Sequence, residues 1–229
     1  MSKPNLLLLH GALGSKAHFD SLRNLLSDQF NVIDLNFEGH GNQITDNEFS
    51  IELFADNVLA LLKEQNITKT DIFGYSMGGY VGLKLALSHP ELVGKILTLG
   101  TKFNWTKAVS EQEVRKLNPE IIAAKVPVFA QRLEELHSAD SWKIVVNKTA
   151  KMMLDLGNGK KISDASLAQL NNQITIGIGE LDNMVTLEES QRIAELLPNG
   201  KLEIISGFKH PIEQIDVQEL ANFILSKQI

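Results

Sequence analysis

The chain has no cysteine, and that absence removes disulfide scaffolds, thiolate metal sites and cysteine nucleophiles together. Aromatic residues are sparse at 6%, with two tryptophans and two tyrosines, and proline occurs only six times in 229 residues. Long apolar runs are missing too. The opening run, Leu6 to Leu9, is four residues, short of the ~7–15 of a signal-peptide core and the ~18 of a membrane span. The expectation is a cytoplasmic protein without membrane association, in which the sequons beginning at Asn66, Asn104 and Asn147 are chance matches. Positive charge is in deficit: 22 Lys and Arg against 28 Asp and Glu leave a net charge of −6. That argues against generic affinity for nucleic acid or anionic lipid and leaves a small molecule as the expected partner, with the oligomeric state open.

What is present is ordinary globular material, 43% apolar and 22% charged. A chain this long can bury about 70–75% of its unfolded surface without staples. Short apolar runs alternate with helical patterns, which indicates an α/β fold with a mostly parallel sheet of about six strands flanked by helices. The expected strands are Asn5 to His10, Asn31 to Phe37, Thr70 to Tyr75, Lys95 to Gly100, Gln173 to Gly179 and Lys201 to Ile205. The expected helices are Lys16 to Gln29, Ile51 to Gln65, Met77 to Ser88, Leu187 to Leu196 and Glu213 to Ser226. Residues 101–170 break this rhythm and read as an insertion with helices of its own. One apolar face there runs through Ile121, Ile122, Val126, Phe129, Leu133 and Leu136, and a second through Trp142, Val145, Val146, Met152 and Met153.

The strongest local signal is Gly74-Tyr75-Ser76-Met77-Gly78, a G-x-S-x-G between an expected strand and an expected helix. Its spacing is steric: a serine on a sharp strand-to-helix turn is exposed only if its glycine neighbours let the two backbones approach. A serine hydroxyl is a weak nucleophile that needs a histidine base held by a carboxylate. His210 falls after the final expected strand, at the carboxyl edge where Ser76 also lies. Asp182, after the penultimate strand, is chosen over Glu180 as the acid. His89 and His137 are expected to face solvent, His10 and His40 to be turn or surface residues, His18 to sit in an early helix, and Asp34 to make a structural hydrogen bond. The order Ser76, Asp182, His210 is that of nucleophile-elbow enzymes. Donors for a developing oxyanion are expected from the backbone N–H of Met77, at a helix start, and of Ala12, in the His10-Gly11-Ala12-Leu13-Gly14 loop. Gly157 to Lys160 fails as a phosphate loop, Gly177 to Gly179 lacks a third dinucleotide glycine, and no histidine pair has metal spacing, so neither cofactor nor metal is indicated.

These motifs, with Gly39-His40-Gly41 and Gly207 to His210, resemble the α/β-hydrolase fold over essentially the whole length. Gln173 stands where a proline often precedes the acid-bearing strand, and the chain opens almost at the first-loop strand without the usual N-terminal hairpin. The resemblance implies a core of residues 1–100 and 171–229, a helical cap of residues 101–170, and a Ser76–His210–Asp182 triad. The cap carries +3 and the remainder −9. If the cap covers Ser76, it would suit a mostly apolar substrate bearing an anionic group, although its lysines read more simply as a solvated helix face. Phe103 and Trp105 are the expected pocket residues, with Leu13 and Tyr75 as further substrate contacts. The expected activity is hydrolysis of small carboxylic esters or thioesters through an acyl-enzyme. Two alternatives stand beside it. One is a C–C bond hydrolase or lyase, since the Gly11 and Gly74 to Gly79 segments resemble the menaquinone-pathway member of the fold, which carries arginine where this chain has Tyr80. The other is a slow-turnover ligand-binding protein.

Overall fold

The computed structural model describes residues 3–227. Six strands form one parallel sheet in the order β2-β1-β3-β4-β5-β6. They are β1 (Asn5–Leu9), β2 (Asn31–Asp34), β3 (Thr70–Tyr75), β4 (Val93–Leu99), β5 (Ile174–Leu181) and β6 (Gly200–Lys209). Parallel strands need crossovers, and the helices that supply them cover both faces. The leucine run of β1 shows the result directly: Leu7 and Leu9 join the core under α2 (Ile51–Glu64) and α3 (Met77–Ser88), while Leu6 and Leu8 join the core under α1 (Asp20–Leu26) and α10 (Val217–Ser226). An uninterrupted apolar run is therefore what this strand requires, and alternation would have exposed nothing useful. α9 (Leu187–Leu196) packs on the α2–α3 side through Ile193.

Helix starts follow capping chemistry. The Ser50 hydroxyl accepts the Leu53 N–H at 3.0 Å, that of Thr186 accepts the Glu189 N–H at 3.2 Å, and the Asp216 carboxylate accepts two N–H groups of α10. Four expected elements differ most in extent, among them the final helix, which starts at Val217 rather than Glu213 after a separate 3-10 turn over Ile212–Gln214. The first helix begins as a 3-10 turn over Lys16–Phe19 and ends at Leu26. β2 stops at Asp34, whose carboxylate is taken by Arg23, while the Phe37 N–H turns away to donate to His10 Nε2. β6 runs to Lys209 rather than Ile205, through a register shift against β5 and a left-handed Gly207 with φ of 75°.

The segment between β4 and β5 is a helical cap of α4 (Lys107–Val114), α5 (Pro119–Lys125), α6 (Pro127–His137), α7 (Trp142–Asp155) and α8 (Asp164–Leu167). The single apolar face expected across Ile121 to Leu136 is broken into two helices at Val126. Pro127 offers no N–H and forces the preceding residue out of helical conformation, and Val126 has φ −136°. Only Ile122 and Leu133 of that face are buried, packed with Ala130, Trp142 and Val146 in a small core of the cap's own, while Ile121, Val126 and Phe129 remain exposed. α7 is as expected, burying Trp142, Val145, Val146 and Met152. Among the described residues no helix is long and apolar enough to cross a membrane. Because Trp142 is 2% exposed and Ile144 47%, Trp142→Ala should cost about 3–5 kcal/mol in urea unfolding, whereas Ile144→Ala should stay within about 0.5 kcal/mol.

Candidate active site

Ser76 lies between β3 and α3 with φ 51° and ψ −116°, a strained backbone for any non-glycine residue. Packing imposes it. A Cβ at Gly74 would lie 2.4 Å from the Gly79 backbone, and one at Gly78 would lie 2.1 Å from the Leu9 carbonyl oxygen. Glycines let β1, β3 and α3 converge on one point, and the serine at that point is fixed by its neighbours. Its N–H donates to the Leu99 carbonyl at 2.8 Å, and its carbonyl accepts the Thr101 hydroxyl at 2.9 Å and the Gly79 N–H at 3.1 Å.

Facing the serine, His210 Nε2 lies 3.4 Å from Ser76 Oγ, and its Nδ1–H donates to Asp182 Oδ2 at 2.8 Å. The second carboxylate oxygen of Asp182 accepts the N–H groups of Met184 and Val185 at 2.8 and 2.9 Å. Burial opposes ionisation of this 1% exposed carboxyl. The His210 contact and the two amides outweigh it and hold Asp182 below its ordinary pKa. The backbone at His210 is held from behind, because the Tyr75 hydroxyl donates to the His210 carbonyl at 2.8 Å. Gly100, with φ 63°, leaves room beside the acid and the base; a Cβ there would come within 3.1 Å of Asp182 Oδ2 and 3.2 Å of His210 Nδ1. Glu180 points elsewhere, to the Ser206 hydroxyl and the Gly207 N–H.

Two chambers meet at this line. An inner one of about 60 Å³ is walled by the buried Met77, Tyr80, Trp105, Met152, Leu156 and Val185. An outer one of about 310 Å³ is lined by Leu13, Tyr75, Phe129, Leu133, Leu136 and Pro211, with Arg132 and Lys116 near its exposed side. Ala12, Ser76, Glu113, Met153, Met184 and His210 belong to both. Of the expected pocket residues, Leu13, Tyr75 and Trp105 line a chamber. Phe103 does not: it is buried behind the wall with its ring 5.9 Å from that of Tyr80.

Most cap lysines are solvent-exposed, as expected, with two exceptions. Lys148 is half-buried and donates to the carbonyls of Thr45 and Asn47. Lys102 faces the inner chamber, donating to the Met184 carbonyl at 2.7 Å and pairing with Glu113 at 3.5 Å. Lys102 and Glu113 had no sequence signal, since nothing local distinguishes a pocket-facing charge from a solvated one. The same is true of Glu189, which is buried and accepts the N–H groups of Phe103 and Asn104.

His10, His40 and His137 are corrected outright, because all three are fully buried. Their rings form a row with centroids 5.1 Å apart between His10 and His40 and 5.6 Å apart between His40 and His137, among Phe37, Phe49 and Phe54. His137 ties the cap to the body: Nδ1 accepts the Gly41 N–H at 3.1 Å and Nε2–H donates to the Leu13 carbonyl at 2.9 Å. Both contacts are long-range, so a helix-terminal histidine looked like a surface residue in the sequence. Among the described residues no group of three or more His, Asp or Glu side chains is placed to hold a metal ion.

A Ser–His–Asp line at the carboxyl edge of a parallel sheet, with the serine at a strand-to-helix elbow, defines the serine-hydrolase class. The chain belongs to the alpha/beta hydrolase fold family, whose model matches residues 4–143. It is 24% identical to a Haemophilus influenzae protein provisionally named an esterase/lipase, across 92% of this chain and 78% of that one. It is also 24% identical to an Agrobacterium fabrum protein provisionally named the carbamate hydrolase RutD, across 91% of this chain and 87% of that one. Among solved structures, NosK from Streptomyces actuosus superposes with a TM-score of 0.84 at 20% identity, covering 98% of this chain and 97% of that one.

Burial drives the pKa of all three row histidines below the ordinary 6.5, that of His40 to about 3, and charge repulsion from neighbouring imidazoles adds to it. The unfolded chain therefore takes up protons below pH ~6.5 that the folded chain refuses. Stability should be full above that pH and fall on acidification by about 1.4 kcal/mol per pH unit for each histidine that stays neutral in the fold, with Asp182 adding a loss below its ordinary pKa of 3.8 as it protonates. Urea unfolding from pH 7.5 to about 4.5 measures the slope, which His40→Phe should make shallower.

Proposed function

We propose that the protein hydrolyses small carboxylic esters or thioesters through an acyl-enzyme on Ser76. The observation that carries this is the unbroken line from Ser76 Oγ through His210 to Asp182 set in the wall of an apolar cavity. His210 Nε2 takes the Ser76 proton as Oγ bonds to the substrate carbonyl carbon. The same proton is then given to the leaving oxygen or sulfur as its bond to that carbon breaks. Water deprotonated by His210 repeats the sequence and releases the acid. Asp182, an anion at neutral pH, favours the imidazolium that forms in each step. The oxyanion is assigned to the N–H of Met77, at the start of a twelve-residue helix, and of Ala12, which lines both chambers next to Ser76.

The apolar walls suit a mostly apolar substrate, and Lys116 and Arg132, beside the outer chamber, supply the cations that an anionic group on it would meet. A C–C bond lyase reading is less well supported. Where that relative carries arginine, Tyr80 is buried and its hydroxyl accepts the Ile162 N–H at 2.8 Å, so no cation stands there. A fluorophosphonate should label the wild-type protein and leave Ser76→Ala unlabelled; failure to label the wild type would overturn the reading. In Asp182→Asn, kcat on an activated ester should fall by about 10⁴ with KM little changed, because the amide favours the wrong imidazole tautomer.

A further inference from the structure

The two chambers differ about fivefold in volume, 60 against 310 Å³, and in what surrounds them. A cavity needs roughly 10–15 Å³ on this measure to hold one water. The inner chamber therefore admits about four to six non-hydrogen atoms and the outer one more than about twenty. The chemistry at Ser76 decides which half of an ester goes where. After the first step the acyl group stays bonded to Oγ, while the leaving group must depart and water must arrive beside His210. The inner chamber is walled mostly by the buried side chains of Ile51, Met77, Tyr80, Trp105, Leu156 and Val185, and its one exposed lining residue, Met184, also borders the outer chamber. Exposed residues, Phe129, Arg132, Lys116 and Glu213, border the outer one, so the departing group leaves that way.

We infer that this protein takes esters of short acids, with an acyl chain of about two to four carbons in the inner chamber and a bulky apolar alcohol or thiol in the outer one. The inference rests on Ser76 being the acylated nucleophile. The Lys102–Glu113 pair does not alter the apolar assignment of the inner chamber, because its charges offset each other at 3.5 Å and Lys102 is further held by the Met184 carbonyl. The outer chamber presents Leu117, Leu133, Leu136 and Pro211 to the leaving group, a surface matched by an aromatic or alicyclic ring rather than by a methyl group.

Two isomeric alkyl esters of similar intrinsic reactivity separate the possibilities: naphthylmethyl acetate puts the ring on the leaving group, and methyl naphthylacetate puts it on the acyl group. The wild-type kcat/KM for the first should exceed the second by at least about tenfold. With the naphthylmethyl group fixed, kcat/KM should fall by at least about tenfold from butyrate to octanoate. Acylation of Ser76 followed by mass spectrometry provides the same comparison if release is slow. Leu156→Ala, which opens the inner chamber by three carbons' worth of side chain, should raise the octanoate-to-acetate ratio, with circular dichroism checking that the variant is folded. Equal or reversed preference between the isomers, a flat chain-length profile, or no acylation by the acetate in a protein whose Ser76 reacts with fluorophosphonate would overturn the inference while leaving the serine-hydrolase reading standing. Absence of the fluorophosphonate reaction overturns both.

Discussion

The approach of α3 to the end of β1 governs the site. With hydrogen as its side chain, Gly78 sits where any Cβ would strike the Leu9 carbonyl, so the loop after β1 and the first turn of α3 are brought side by side. From that one contact follow the chamber-facing serine, the positive-φ backbone it must adopt, and the adjacency of Ala12 and Met77. The strain at Ser76 is supported by three backbone-anchoring hydrogen bonds, from the end of β4, the segment after it and the first turn of α3, which is how a sparsely populated conformation persists. The elbow is a product of the sheet's closest packing, and the side chains of the triad are placed on it afterwards.

A second constraint is the row of buried histidines between body and cap. Neutral imidazole is a compact bifunctional group, able to accept at one nitrogen and donate at the other. His137 uses both, spanning from the cap to the loop that carries Ala12, and His10 uses both, joining Gly11 to Phe37. The first loop is thus held by hydrogen bonds at its start and its middle. A phenylalanine would fill the same volume and leave those backbone groups unsatisfied.

The elements that build the sheet were legible in the sequence because each strand is a short apolar run ending at a turn residue, and Ser76, Asp182 and His210 were legible because all three follow strand ends on the same edge. What could not be read depended on contacts between distant segments. Phe103 is aromatic and near the site in sequence, yet the chain turns it behind Tyr80. His137 terminates a helix and looked solvated until Gly41 and Leu13, far away in sequence, were brought to it. The apolar face drawn through Ile121 to Leu136 ignored Pro127, although a proline inside such a pattern is itself a break signal. Lys102 differs from its exposed neighbours only in the direction it faces, which is decided by the Met184 carbonyl.

The roots of the cap carry a last consequence. At its entry, buried Glu189 on α9 holds the amides of Phe103 and Asn104; near its exit, Tyr80 holds the Ile162 N–H and Asn172 donates to the carbonyls of Val93 and Gly94. Both roots are staked to the sheet's own helices and strands, so the cap is stitched to the body at the two places where the chain enters and leaves it.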